Sequence, residues 1–108
     1  MGEVEWAGLK FLAVARQDAP QLRAPGLYAL VARGGAGMTL LFAGEAEDIA
    51  RAVGPQHPAW QAALDAGFNE IHVALVSAPR LDRLQLLARV TRAHTPTLNA
   101  DEPARAVG

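Results

Sequence analysis

The stretch Gly26-Leu27-Tyr28-Ala29-Leu30-Val31-Ala32-Arg33-Gly34-Gly35-Ala36-Gly37-Met38-Thr39-Leu40-Leu41-Phe42-Ala43-Gly44 decides the fold. Two short apolar runs, Gly26 to Arg33 and Met38 to Gly44, flank four residues of which three are glycine. Glycine accepts the positive φ that a tight strand reversal needs, so the stretch reads as a β-hairpin. The Pro25-Gly26 pair starts it, because the residue before a proline and the proline itself favour extended or turn backbone.

Downstream, Glu45 to Val53 sets Ile49, Ala52 and Val53 on one helical face, with Glu45, Glu47 and Asp48 in the first turn where the helix dipole favours acids. Gly54-Pro55 stops that helix. His57-Pro58 opens a second, with Trp60, Ala63 and Leu64 on one side and Gly67 beyond its end. Asn69 to Ser77 follows with apolar residues on both faces, the signature of an interior strand. Ala78-Pro79 breaks it, and Arg80 to Ala93 forms a last helix before Thr95-Pro96. Upstream, Gln17 to Pro25 is a connector, while Glu5 to Ala15 is apolar with a periodicity that matches neither helix nor strand. The class is α+β: a small antiparallel three-stranded sheet flanked by helices. Residues 1–24 read as an N-terminal extension packing on a domain of residues 25–100, and residues 101–108 as a C-terminal tail.

At 108 residues the chain builds one core. Ten basic against 11 acidic side chains leave a formal charge of −1, so no overall basic field draws in a phosphate backbone, and nucleic-acid binding requires a local patch. All the basic residues except Lys10 are Arg, which recognises phosphate with two parallel hydrogen bonds. The absence of cysteine excludes a disulfide, a thiol nucleophile and Cys-ligated zinc, and suits a cytoplasmic location. The N-terminus lacks the layout of a signal peptide, and no apolar run reaches the ~20 residues of a membrane span, so no membrane partner is expected.

Three separated pieces carry a resemblance: Gly26-Leu27-Tyr28, Phe42-Ala43-Gly44, and Pro96-Thr97-Leu98-Asn99 after the last helix. Their order resembles the GIY-YIG nuclease domain, from Pro25 to Asn99. The stretch His57, Trp60, Gly67, Ile71 and His72 is similar to small bacterial members of that family. The resemblance implies a vestigial site drawn from Tyr28, Phe42, Gly44, Arg51, His57, Leu87 and Asn99. Phe42 stands where the second motif's tyrosine belongs. Ala52 occupies the place of the family's helix arginine, with Arg51 one residue early, about 100° of helix rotation away. Counting back from Pro96 to the position of the family's metal-binding glutamate gives Leu87, which offers no lone pair to a hard cation. Phosphodiester cleavage leans on metal and cationic stabilisation of developing charge, so the joint loss implies a nuclease fold without nuclease turnover. Leu87 falls on the apolar stripe with Leu84, Val90 and Thr91 and reads as core.

Each candidate has a plainer structural role. Tyr is favoured in strands regardless of function, Phe42 suits a core, and three scattered histidines, His57, His72 and His94, do not make a metal site. Arg80 and Arg83 one turn apart, like Arg89 and Arg92, fit a solvated face more readily than a phosphate grip. The reading is therefore a degenerate nuclease-like binding module with no cofactor. Its partner is DNA or RNA through an Arg patch that includes Arg51, Arg80 and Arg83, or else a protein. The alternatives are an active endonuclease that uses Mg²⁺ through relocated groups (Tyr28 or His57, Arg51, and Glu45 or Glu47), and a structural homodimer that covers residues 5–15.

Overall fold

The glycine-flanked hairpin forms, and three further antiparallel pairings build the sheet around it. The computed structural model describes residues 2–18 and 22–99. In chain order it contains β1 (Gly2–Trp6), β2 (Leu9–Ala15), a 3₁₀ turn (Arg16–Asp18), β3 (Gly26–Gly34), β4 (Gly37–Ala46), α1 (Ile49–Ala52), α2 (Trp60–Asp65), β5 (Glu70–Leu75) and α3 (Arg80–His94). The sheet order is β1-β2-β5-β3-β4, with every neighbour antiparallel. The last strand in sequence thus lies inside the sheet, in keeping with the apolar residues it carries on both faces.

The sheet has five strands where three were expected. The additional pair is the segment that periodicity left untyped. Its turn is Ala7-Gly8, with φ of 54° and 81°. That pair of left-handed residues makes the tightest hairpin reversal, but alanine at the first position lacks the Asn, Asp or Gly that advertises it. Leu12 and Val14 are apolar on the face opposite Phe11 and Ala13, which blurs the alternation further.

The sheet separates two cores. On one face Tyr28, Leu30, Phe42, Ile71 and Val73 pack against Ile49, Val53, Ala59, Ala63 and Phe68, contributed by α1, α2 and their flanks. On the other, Trp6, Phe11, Leu27, Ala29, Val31, Leu40 and Ala43 pack against Val90, with Leu86 and Leu87 of α3 beside them. Leu40 and Phe42, two residues apart, belong to opposite faces. A bulge explains this: Leu30 pairs with Phe42 and the next residue, Val31, with Leu40, so Leu41 is the extra residue. The bulge swings Phe42 to the side of Tyr28.

After Gly44 the backbone departs from the expected helix. β4 runs on to Ala46, placing Glu45 in the sheet opposite Leu27, and α1 has only four residues. Two tertiary bonds position that short helix: Ile49 N–H donates to the Ala24 carbonyl and Ala50 N–H to that of Leu22, at 3.0 and 2.9 Å. The outer edge of β4 is covered by the chain's last described residues. Leu98 N–H donates to the Leu41 carbonyl at 2.7 Å, and the Asn99 side-chain amide both donates to and accepts from the Ala43 backbone at 2.8 Å. The tail of residues 101–108 lies outside the described residues.

Candidate functional site

The motif glycines are demanded by close approach. A Cβ on Gly26 would stand 2.2 Å from the Ala74 carbonyl oxygen of the neighbouring strand, and one on Gly44 would stand 2.6 Å from the Tyr28 Cζ and Oη. Gly44 is the cross-strand partner of Tyr28. The phenol ring therefore lies over a residue that has no side chain, and the two motifs imply each other.

Around that ring the structure gathers an aromatic cluster. Phe42 stacks on Tyr28 with centroids 6.1 Å apart, and His57 meets both rings edge-on at 5.5 and 4.7 Å. The Tyr28 Oη lies 2.8 Å from His57 Nε2. The Ala59 N–H donates to His57 Nδ1 at 3.0 Å, so a neutral ring carries its proton on Nε2 and donates it to the tyrosine oxygen. The loop between α1 and α2 fixes the imidazole by two backbone bonds, His57 N–H to the Gly54 carbonyl and Trp60 N–H to the His57 carbonyl. Tyr28, Phe42 and His57 are 6%, 3% and 7% exposed, so the polar pair sits within packed aromatic surface rather than at a wet cleft.

The remaining candidates lie elsewhere. Leu87 is half-buried against the opposite face of the sheet, with the Leu27 and Val90 core. It is neither beside Tyr28 nor fully enclosed. Arg51 is exposed on α1, and its carbonyl accepts from Gln56. Asn99 joins the β4 edge at Ala43, between Phe42 and Gly44, where its amide substitutes for a missing strand.

Arg80 and Arg83 converge on a carboxylate. Arg83 Nε donates to Glu45 Oε1 at 3.0 Å and its Nη1 to the Ala78 carbonyl at 2.7 Å, while Arg80 Nε reaches Glu45 Oε2 at 3.3 Å. Arg83 is 4% exposed, so it pins α3 to the sheet and does not belong to a solvated face. Burying a guanidinium demands a partner of opposite charge, and the extension of β4 supplies Glu45 at the right place. Arg89 and Arg92 are exposed.

A second polar chain had gone unread in the sequence. Trp6 Nε1–H donates to His72 Nδ1 at 2.9 Å, His72 Nε2 lies 2.9 Å from Glu70 Oε1, and Glu70 Oε2 lies 2.5 Å from Arg33 Nε. It links β1, β5 and β3 on the α3 face. His72 is fully buried. Burial holds its imidazole below the ordinary value, against the pull of the Glu70 carboxylate. Burial also pushes Glu70 up, but the hydrogen bonds from Arg33 and His72 outweigh it and leave the carboxyl below its ordinary value. Both directions favour a neutral imidazole beside an ionised carboxylate. The signal was present in Glu70-Ile71-His72, two polar residues on one face of an interior strand, which can be buried only with partners.

No family model matches this chain, and no curated protein does. Among solved structures it is similar to the crystal structure of the GIY-YIG N-terminal endonuclease domain of UvrC from Thermotoga maritima. The TM-score is 0.59 at 17% identity, over 78% of this chain and 91% of that one. The chain has the GIY-YIG fold. The bacterial domain was crystallised as a tyrosine-to-phenylalanine point mutant bound to its catalytic divalent cation. The residues of the present GIY-YIG fold do not suit such an ion. Glu45 is held by two arginines, and among the described residues no three His, Asp or Glu side chains come together as ligands. Among the same residues, no helix is long and apolar enough to cross a membrane.

Proposed function

We propose that this chain is a GIY-YIG-fold domain that has lost nuclease chemistry and serves as a binding module for a nucleic acid or a protein. The observation that carries the reading is the fate of the carboxylate position. Leu87 packs against the Leu27 and Val90 core, on the far side of the sheet from Tyr28. Supporting it, Phe42 replaces a hydroxyl by a ring edge within the aromatic cluster, and the carboxylate nearest the second motif, Glu45, is neutralised by Arg80 and Arg83. On this reading no carboxylate beside Tyr28 is placed to hold a cation, and charge developing on a phosphate there would go unstabilised. Of the arginines suggested for nucleic acid, Arg51 and Arg80 are exposed.

One observation favours the alternative of a working endonuclease: the Tyr28 and His57 oxygen–nitrogen contact of 2.8 Å, the kind of pair that moves a proton. Supercoiled plasmid incubated with the purified chain and Mg²⁺ separates the two readings. The expected result is no nicking above a no-protein control. Mg²⁺-dependent nicking that disappears in both Tyr28→Phe and Arg51→Ala would establish the endonuclease. Fluorescence anisotropy with short single- and double-stranded DNA and RNA at about 50 mM salt, where phosphate contacts are strongest, then assigns the partner: binding identifies a nucleic-acid module, and its absence leaves a protein partner.

A further inference from the structure

The two edges of the sheet are treated differently. The β4 edge is closed by Thr97, Leu98 and Asn99, whereas among the described residues no backbone hydrogen bond covers the outer side of β1. An open edge is a row of unpaired donors and acceptors that templates another strand unless something prevents it. On β1 the side chains of Glu3 and Glu5 lie on one face, both exposed, and Val4 and Trp6 lie on the other. Beyond them on the acidic face Leu12 and Leu75 are 39% and 58% exposed and border a recess of about 300 Å³ together with Glu3 and Lys10.

These charges choose among occupants. A second copy, joined by two-fold antiparallel pairing centred on Val4, would set Glu3 of each chain directly opposite Glu5 of the other on the same face. Like charges in that position destabilise a pair, and four carboxylates would be brought together. A phosphate backbone is repelled by the same two side chains. An extended peptide with Lys or Arg at every second position meets both glutamates across the strand pair. The apolar stems of its basic side chains can lie toward Leu12, which stands opposite Glu3 on β2.

We infer that the β1 edge is a docking site for an extended segment of another protein whose alternate side chains are basic. The backbone supplies the pairing and Glu3 and Glu5 supply the selectivity. This surface is separate from the aromatic cluster around Tyr28, so the inference stands or falls independently of the nuclease and DNA assays.

The test uses the full chain and fluorescein-labelled peptides of three kinds: alternating Lys-Val, alternating Glu-Val, and a Lys-Val peptide of the same composition with its lysines in one block. Anisotropy should report saturable binding of the alternating Lys-Val peptide, at least tenfold tighter than of either other peptide. The double variant Glu3→Lys/Glu5→Lys, with its fold checked by circular dichroism, should reverse the preference toward the Glu-Val peptide. New amide-exchange protection should appear at residues 2–6. Equal affinity for the blocked peptide would reduce the effect to bulk charge and overturn the inference. So would affinity unchanged in the double variant, absence of binding at millimolar peptide, or light scattering that reports a wild-type dimer abolished by the same substitutions.

Discussion

Each face of this sheet buries one histidine against one aromatic side chain that carries a polar atom, and the two pairs have different consequences. His57 and Tyr28 share one hydrogen bond inside an aromatic cluster, on the face that carries the family motifs. His72 and Trp6 belong to a chain of four side chains that ends on an exposed ion pair between Glu70 and Arg33. The first pair is held by packing, with three rings and the close approach of Tyr28 to Gly44. The second is held by polar satisfaction, since a fully buried imidazole must have both nitrogens occupied. A retained motif therefore reports shape on one face, while the other face depends on a protonation state.

The comparison can be broken most severely by removing bulk. Phe42→Ala should destabilise the chain by about 3–5 kcal/mol, the range for an aromatic deleted from a full core. Leu87→Ala, half-buried on the other face, should cost about 1–2 kcal/mol because much of its surface is already wet. Urea unfolding of the two variants measures both, and comparable losses would place Leu87 in the core that its sequence position suggested.

Acid should act on the other face. The unfolded chain takes up the proton that the folded state keeps off His72, so the stability from a neutral His72 is complete above its ordinary value of 6.5 and is lost as the pH falls below it. The loss approaches about 1.4 kcal/mol per pH unit until the folded imidazole also protonates. Glu70, likewise held down, adds a loss of the same sign below 4.5. Unfolding free energy measured from pH 8 to 5 should decline in the wild type and flatten in His72→Gln, whereas His57→Gln should leave the His72-dependent decline in place. A smaller effect is expected from Tyr28→Phe. It keeps the ring over Gly44 while removing the hydroxyl that meets His57, and should cost about 1 kcal/mol in urea unfolding.

The elements that local chemistry specifies were legible in the sequence. The hairpin of β3 and β4 follows from apolar runs around Gly34 to Gly37, β5 from apolar residues on both faces, and α3 from the stops at Pro79 and Pro96. The β1–β2 hairpin was not legible, because Ala7 adopts a positive φ without a turn residue to announce it. The acidic stretch after Gly44 suggested a helix, yet Glu45 entered the strand, where Arg83 of a helix 38 residues away holds it. The resemblance named Tyr28, Phe42, Gly44 and His57 as one group, and they do meet. It also named Leu87 with them, and the sheet lies between.

What the sequence determined by itself was the set of constraints that act over a few residues: which glycines must be bare, where chain reversal is cheap, and which strand is buried on both sides. Tertiary structure alone decided that β1 and β2 widen the sheet, that a bulge at Leu41 turns Phe42 toward Tyr28, that Arg83 is buried, and that His72 joins Trp6 to Glu70. The reason is one of range. Backbone preference and side-chain alternation are local energies, whereas pairing a buried charge or filling a ring's neighbourhood depends on residues that only folding brings within a few ångströms.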